Sequence, residues 1–170
     1  MIRSTRLALV TAAALLSLSV PAEAQEAVVP VKNAEALFTS KNPTLNRNKQ
    51  AVYHIMKDLL EAGHWEQADR WLTERYIQHN PNVASGRDTV VRFFDSIGMK
   101  PKPIPARLST PVVSVTAEGD MVVVATVSTL PHPTQAGKTY TTTWFDMWRM
   151  KDGKADEHWD SATIMAMPGQ

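Results

Sequence analysis

Cysteine is absent from all 170 residues. That excludes disulfides, thiolate nucleophiles and cysteine metal centres together, so stability has to come from packing. Long apolar runs are nearly absent too. The one at residues 7–20, "LALVTAAALLSLSV", falls short of the ~20 residues that span a bilayer, and no later segment approaches that length. A basic excess is also missing: eighteen Lys and Arg stand against seventeen Asp and Glu, without the clustered positive charge of a nucleic-acid surface. There is no Gly-x-Ser-x-Gly elbow, no glycine-rich phosphate loop and no His-x-x-His spacing. These absences speak against acyl-serine chemistry, phosphoryl transfer and a zinc site, and the sequence calls for no cofactor.

The N-terminus has the three parts of an export signal. Arg3 and Arg6 precede the apolar run, and Ala22-Glu23-Ala24 fits a small-x-small cleavage site. Residues 1–24 are therefore expected to be removed between Ala24 and Gln25. That predicts a secreted or periplasmic protein with no stable membrane insertion after cleavage. Residues 25–45 mix proline and polar side chains without a period and read as an N-terminal arm. Residues 46–170 read as one domain.

Within that domain Val52, Ile55, Met56, Leu59 and Leu60 recur at helical spacing, and Gly63 marks a stop. "HWEQADRWL" is a second, shorter helix that buries Trp65 and Trp71. "RYIQHNP" is a brief extended segment, and "GRDTVVRFFDSIG" a third helix with Ser85 as its expected cap. Beyond the proline-rich "MKPKPIPARL" the period changes to two, and four strands follow as an antiparallel meander. Three helices followed by a curved sheet make an α+β domain.

The last hairpin, "WFDMWRMKDGKADEHWD" at 144–160, concentrates the ionisable and aromatic side chains. A two-residue Asp152-Gly153 turn would set Asp146 opposite Trp159 and send His158 and Asp160 to the other face. A turn with Gly153 as a bulge would set Asp146 opposite His158 and Trp144 opposite Asp160. In that second register Trp144, Asp146, Trp148, Asp156, His158 and Asp160 share a face, while Ala155 and Trp159 lie on the other. Carboxylates on such a face need a histidine, each other or a ligand as partners. The bulged register is the one that supplies them.

"QHNP", the "GRDTVVRFF" helix and "FDMWRMKDGKADEHWD", in this order, resemble the SnoaL-like polyketide cyclase group of the nuclear transport factor 2-like superfamily. The resemblance covers about residues 46–162. It implies a cystatin-like cone, with three N-terminal helices packed on a curved antiparallel sheet around a pocket, and a homodimer through the outer face of the sheet. It also implies cofactor-independent cyclase, isomerase or lyase chemistry, or simple binding, on a small hydrophobic molecule. Asp160 matches the family acid/base, Asp146 a carboxylate that holds an oxyanion, and His79 a histidine at the pocket mouth. His158 is a further proton carrier, and Trp144, Trp148, Trp159 and Tyr76 are candidate substrate contacts. The bland alternatives are a structural Asp160–His158 pair, an ion pair of Asp146 with Arg149 or Arg107, and a turn bond for His79. A metal held by His79, His158 and Asp160 is not expected.

Overall fold

The computed structural model describes residues 26–164, so the expected export signal lies outside the described residues. A short 3-10 turn, Glu35–Phe38, precedes helix α1, Pro43–His54, which runs on as a wider π-type segment, Ile55–Glu61. A 3-10 turn, Trp65–Gln67, leads into one turn of α2, Ala68–Trp71. Strand β1, Leu72–Gln78, and helix α3, Arg87–Ser96, come next. Then follow β2, Val112–Glu118, β3, Met121–Pro131, β4, Thr139–Lys151, and β5, Lys154–Asp160. The sheet order is β1-β5-β4-β3-β2. The four-stranded antiparallel meander and the α+β class are as expected. The fifth strand is not: the extended segment begins at Leu72 and pairs with β5 in parallel, making the sheet mixed.

Helix α1 starts at Pro43, inside the expected N-terminal arm and nine residues before the apolar period opens at Val52. Asn42 caps it, with Oδ1 accepting from the amides of Thr44 and Leu45 at 2.9 and 3.2 Å, and Pro43 occupies a first-turn position that needs no donor. The π-type segment closes with the Ala62 amide on the Lys57 carbonyl at 3.1 Å, a five-residue span. Gly63 then leaves the helix at φ 77°, where a side chain is disfavoured. Ser85 does not cap α3. Its Oγ accepts from the Gln78 amide at 3.0 Å, at the end of β1, and Gly86 precedes the helix at φ 102° with no side-chain cap.

The core lies between α1 and the inner face of the sheet, where Val52, Ile55, Leu59, Leu72, Val122, Val124 and Trp148 are almost fully enclosed. Phe38, wholly buried, ties the end of the arm to it. Further out, the Val31 amide donates to the Val112 carbonyl and the Val28 amide to Thr141 Oγ1, each at 2.8 Å. No helix among the described residues is long and apolar enough to cross a membrane.

The hairpin takes neither expected register whole. Asp152 and Gly153 form a two-residue turn with φ 51° and 80°, as a type I′ turn requires, and Lys151 faces Lys154. The bulge comes later, in β5. Met150 faces Ala155 but Arg149 faces Glu157, leaving Asp156 as the extra residue. Beyond it Trp148 faces His158 and Asp146 faces Asp160. The expected sharing of one face by Asp146, Trp148, His158 and Asp160 therefore holds, but for a different reason. Ala155 lies in the core rather than on the outer face. Asp156 turns to β1, accepting from Thr73 Oγ1 at 2.7 Å and Arg75 Nε at 2.8 Å.

Candidate functional site

A cavity of about 300 Å³ opens between the inner face of the sheet and the helices. Ile55 and Leu60 of the π-type segment, Trp65, and Val90 and Phe93 of α3 form apolar walls. The polar groups come from the strands: Tyr76 and Gln78 from β1, Asp146 from β4, and His158 and Asp160 from β5, with Asn80 following β1. An apolar chamber with a few converging polar groups is the usual form of a small-molecule site.

His158 is 7% exposed and joins three strands. Its Nδ1 lies 2.8 Å from Gln78 Oε1 and its Nε2 lies 3.1 Å from Asp146 Oδ1. Among the described residues no partner meets the other oxygen of Asp146. Asp160 is held differently: Oδ2 accepts from Asn80 Nδ2 at 2.7 Å and Oδ1 from the Ala162 amide at 2.9 Å. Tyr76 is 4% exposed, and its hydroxyl accepts from the Trp148 indole at 3.3 Å. Burial lifts that hydroxyl well above the ordinary tyrosine pKa. Asp146 and Asp160 push it the same way, against the opposing effect of the Trp148 bond.

The structure brings together five of the eight expected site residues: Asp146, His158, Asp160, Tyr76 and Trp148 all line the cavity. His79 does not. It stacks on Trp159 with ring centroids 4.5 Å apart, and its Nε2 lies 3.2 Å from Glu157 Oε2, away from the chamber. Trp159, also outside, lies beneath the Arg149 guanidinium. Trp144 follows the strand parity of Asp146 but stands beyond the cavity walls, half-buried opposite Thr126. The structural pair His158 forms is with Asp146, not Asp160, and Arg149 pairs with Asp120 and Glu157 rather than Asp146. The sequence reading missed Gln78 and Asn80. "YIQHN" alternates, and reading it as a strand would have put Tyr76, Gln78 and Asn80 on one side and His79 on the other.

Three donor atoms of Asp146, His158 and Asp160 lie within 4.8 Å of one another and could take a divalent cation. His79 cannot join such a set from the opposite side of the sheet. Glu61 and His64, at a Glu-x-x-His spacing, are each bound elsewhere. Glu61 accepts from Ser109 and Thr110, and His64 bridges Glu66 and the Lys102 carbonyl.

The SnoaL-like domain family model matches residues 53–158, more than half of the sequence. The chain belongs to the SnoaL-like domain family. Its fold is that of SnoaL-like proteins. A proposed SnoaL-like polyketide cyclase from Jannaschia sp. CCS1 superposes with a TM-score of 0.50 at 18% identity, over 72% of this chain and 91% of that one. A proposed polyketide cyclase from Acidithiobacillus ferrooxidans gives 0.47 at 15% identity, over 67% and 86%. An LEH-like epoxide hydrolase from M. tuberculosis gives 0.48 at 12%, over 67% and 80%. At such identities the likeness is one of fold. No curated protein matches the chain.

Proposed function

We propose that this SnoaL-like protein is a cofactor-independent enzyme of the cyclase, isomerase or lyase type, moving protons on a small hydrophobic carbonyl compound in the cavity. The observation that carries this reading is the Asp146–His158 contact inside a chamber whose remaining walls are mostly apolar. A carboxylate with one oxygen bound to an imidazole and the other turned to no protein donor is built to exchange a proton with a bound molecule. Asp146 removes the proton next to the carbonyl, and His158, steadied by Gln78, carries it onward. Tyr76 donates its hydroxyl hydrogen to the developing enolate oxygen, because its own oxygen is already supplied by Trp148. Asp160, the match to the family acid/base, orients the substrate from a fixed position.

Export to the periplasm or outside the cell belongs to the same proposal, supported by the N-terminal pattern at Arg3, Arg6 and Ala22-Glu23-Ala24. So does a homodimer through the outer face of the sheet, where Phe145 is 51% exposed. Mass spectrometry of the exported protein and its sedimentation coefficient test these two points.

The chemistry is tested by hydrogen–deuterium exchange. Small apolar ketones and enones are incubated with the protein in D2O, and exchange beside the carbonyl is followed by NMR. The expected result is exchange that falls by roughly 10²–10⁴-fold in Asp146→Asn and in His158→Gln. Saturable binding without exchange would make the protein a binding module instead, and exchange unchanged in both variants would take Asp146 and His158 out of the chemistry. A small epoxide in the panel reports ring opening.

A further inference from the structure

Outside the cavity, an open groove of about 430 Å³ shares two walls with it, Leu60 and Ile97. Both are exposed, at 37% and 55%, so they form the rim where chamber and groove meet. The groove continues past Met99 to Lys100 and Lys102. We propose that the natural ligand is an apolar molecule ending in a carboxylate, with its body in the cavity and its anionic end held in this groove by the two lysines. The proposal rests on the reading of the cavity as a small-molecule site.

Charge fixes the direction. Asp146 and Asp160 stand among the cavity's polar groups, so an anionic end cannot enter first without meeting two carboxylates. At the other end neither lysine ammonium has a hydrogen bond or ion pair among the described residues. The one acid lining the groove, Glu61, is turned aside and bound by the backbone and hydroxyls of Ser109 and Thr110 at 2.7–3.1 Å. Both lysine ammonium groups are therefore left for a ligand beside an apolar entrance.

Their backbone is also fixed. The Lys102 amide donates to the Ala62 carbonyl at 2.8 Å, and the Lys102 carbonyl lies 2.7 Å from His64 Nε2. The Trp65 indole donates to Met99 Sδ at 3.1 Å. Gly63 permits this approach, since a Cβ there would stand 2.9 Å from the Lys100 carbonyl oxygen. Long side chains on a pinned backbone can swing to a ligand at little cost in backbone order.

The test is direct binding, by calorimetry and by the fluorescence of Trp65 and Trp148, which line the cavity. The probes are decanoate and 1-decanol, with bodies of roughly the length such a chamber holds. The proteins are wild type, Lys100→Ala/Lys102→Ala, Lys100→Glu/Lys102→Glu, and Lys151→Glu on the exposed hairpin turn as a charge control. Wild type should prefer decanoate by about tenfold, a preference that shrinks in high salt. The double alanine variant should lose it, the double glutamate variant reverse it, and Lys151→Glu keep it. Equal affinity for the two probes, or an unchanged preference in the double glutamate variant, overturns the anionic-end inference and leaves the cavity reading intact. Binding of neither probe overturns both.

Discussion

Asp146 Oδ1 and His158 Nε2 stand 3.1 Å apart on adjacent antiparallel strands, and the extra residue in β5, Asp156, brings them to the same face. Side chains alternate along a strand, so removing one residue exchanges the two faces beyond it. Deleting Asp156 should therefore turn His158 and Asp160 outward. Diethyl pyrocarbonate labelling with mass spectrometry reads this: His158 should be protected in wild type and modified in the deletion variant. Continued protection in a folded deletion variant would show that the bulge does not set the face.

The same carboxyl holds the strands together. Hydrogen bonds from Arg75 pull the Asp156 pKa below the ordinary carboxylate value, outweighing burial, with Thr73 adding to the effect. A lowered folded-state pKa stabilises the protein above the unfolded value of about 4, and the stabilisation is lost as pH falls through the folded one. Asp156→Asn should cost about 1–3 kcal/mol near neutral pH, toward the lower end because Arg75 is half exposed. Urea unfolding should show the gap between the two proteins closing as the pH drops below about 4.

How far the sequence could be read follows from what sets each feature. Helix positions and the meander follow from local period, and Asp146, His158 and Asp160 on one face follow from parity once a bulge is granted. The site of that bulge is not local: Thr73 and Arg75, some eighty residues away, capture Asp156. Treating "RYIQHNP" as a short extended piece hid β1, and with it Gln78 and the outward turn of His79. Leu60 looked like core at helical spacing. The π-type segment instead leaves it on the cavity rim.

Gly63 is under two constraints that add. Its φ of 77° disfavours any side chain, and a Cβ would meet the Lys100 carbonyl oxygen at 2.9 Å. Gly63→Ala should destabilise the fold by about 1–3 kcal/mol, against the small effect of Gly→Ala where neither constraint applies. Gly119, also at positive φ but with open space around its position, separates the two terms. Thermal melts of Gly63→Ala and Gly119→Ala should show the larger loss at Gly63. Equal losses would mean that the close approach contributes nothing.

Tyr76 couples the stability of the fold to the chemistry proposed for the cavity. Its buried hydroxyl accepts the Trp148 indole hydrogen at 3.3 Å, so Tyr76→Phe leaves that donor without its partner and should cost about 1–3 kcal/mol. The raised pKa has its own signature. The unfolded chain releases the Tyr76 proton near pH 10, whereas the folded chain keeps it, so the folded state loses stability as pH climbs beyond that value. Tyr76→Phe should remove this alkaline sensitivity while lowering stability at neutral pH, so the stability profiles of the two proteins converge as the pH rises. If Tyr76 also supplies the hydrogen bond to an enolate, the same variant should slow ketone exchange by about 10–10³-fold without weakening ligand binding to match. Parallel losses of binding and exchange would assign Tyr76 to the wall of the cavity alone.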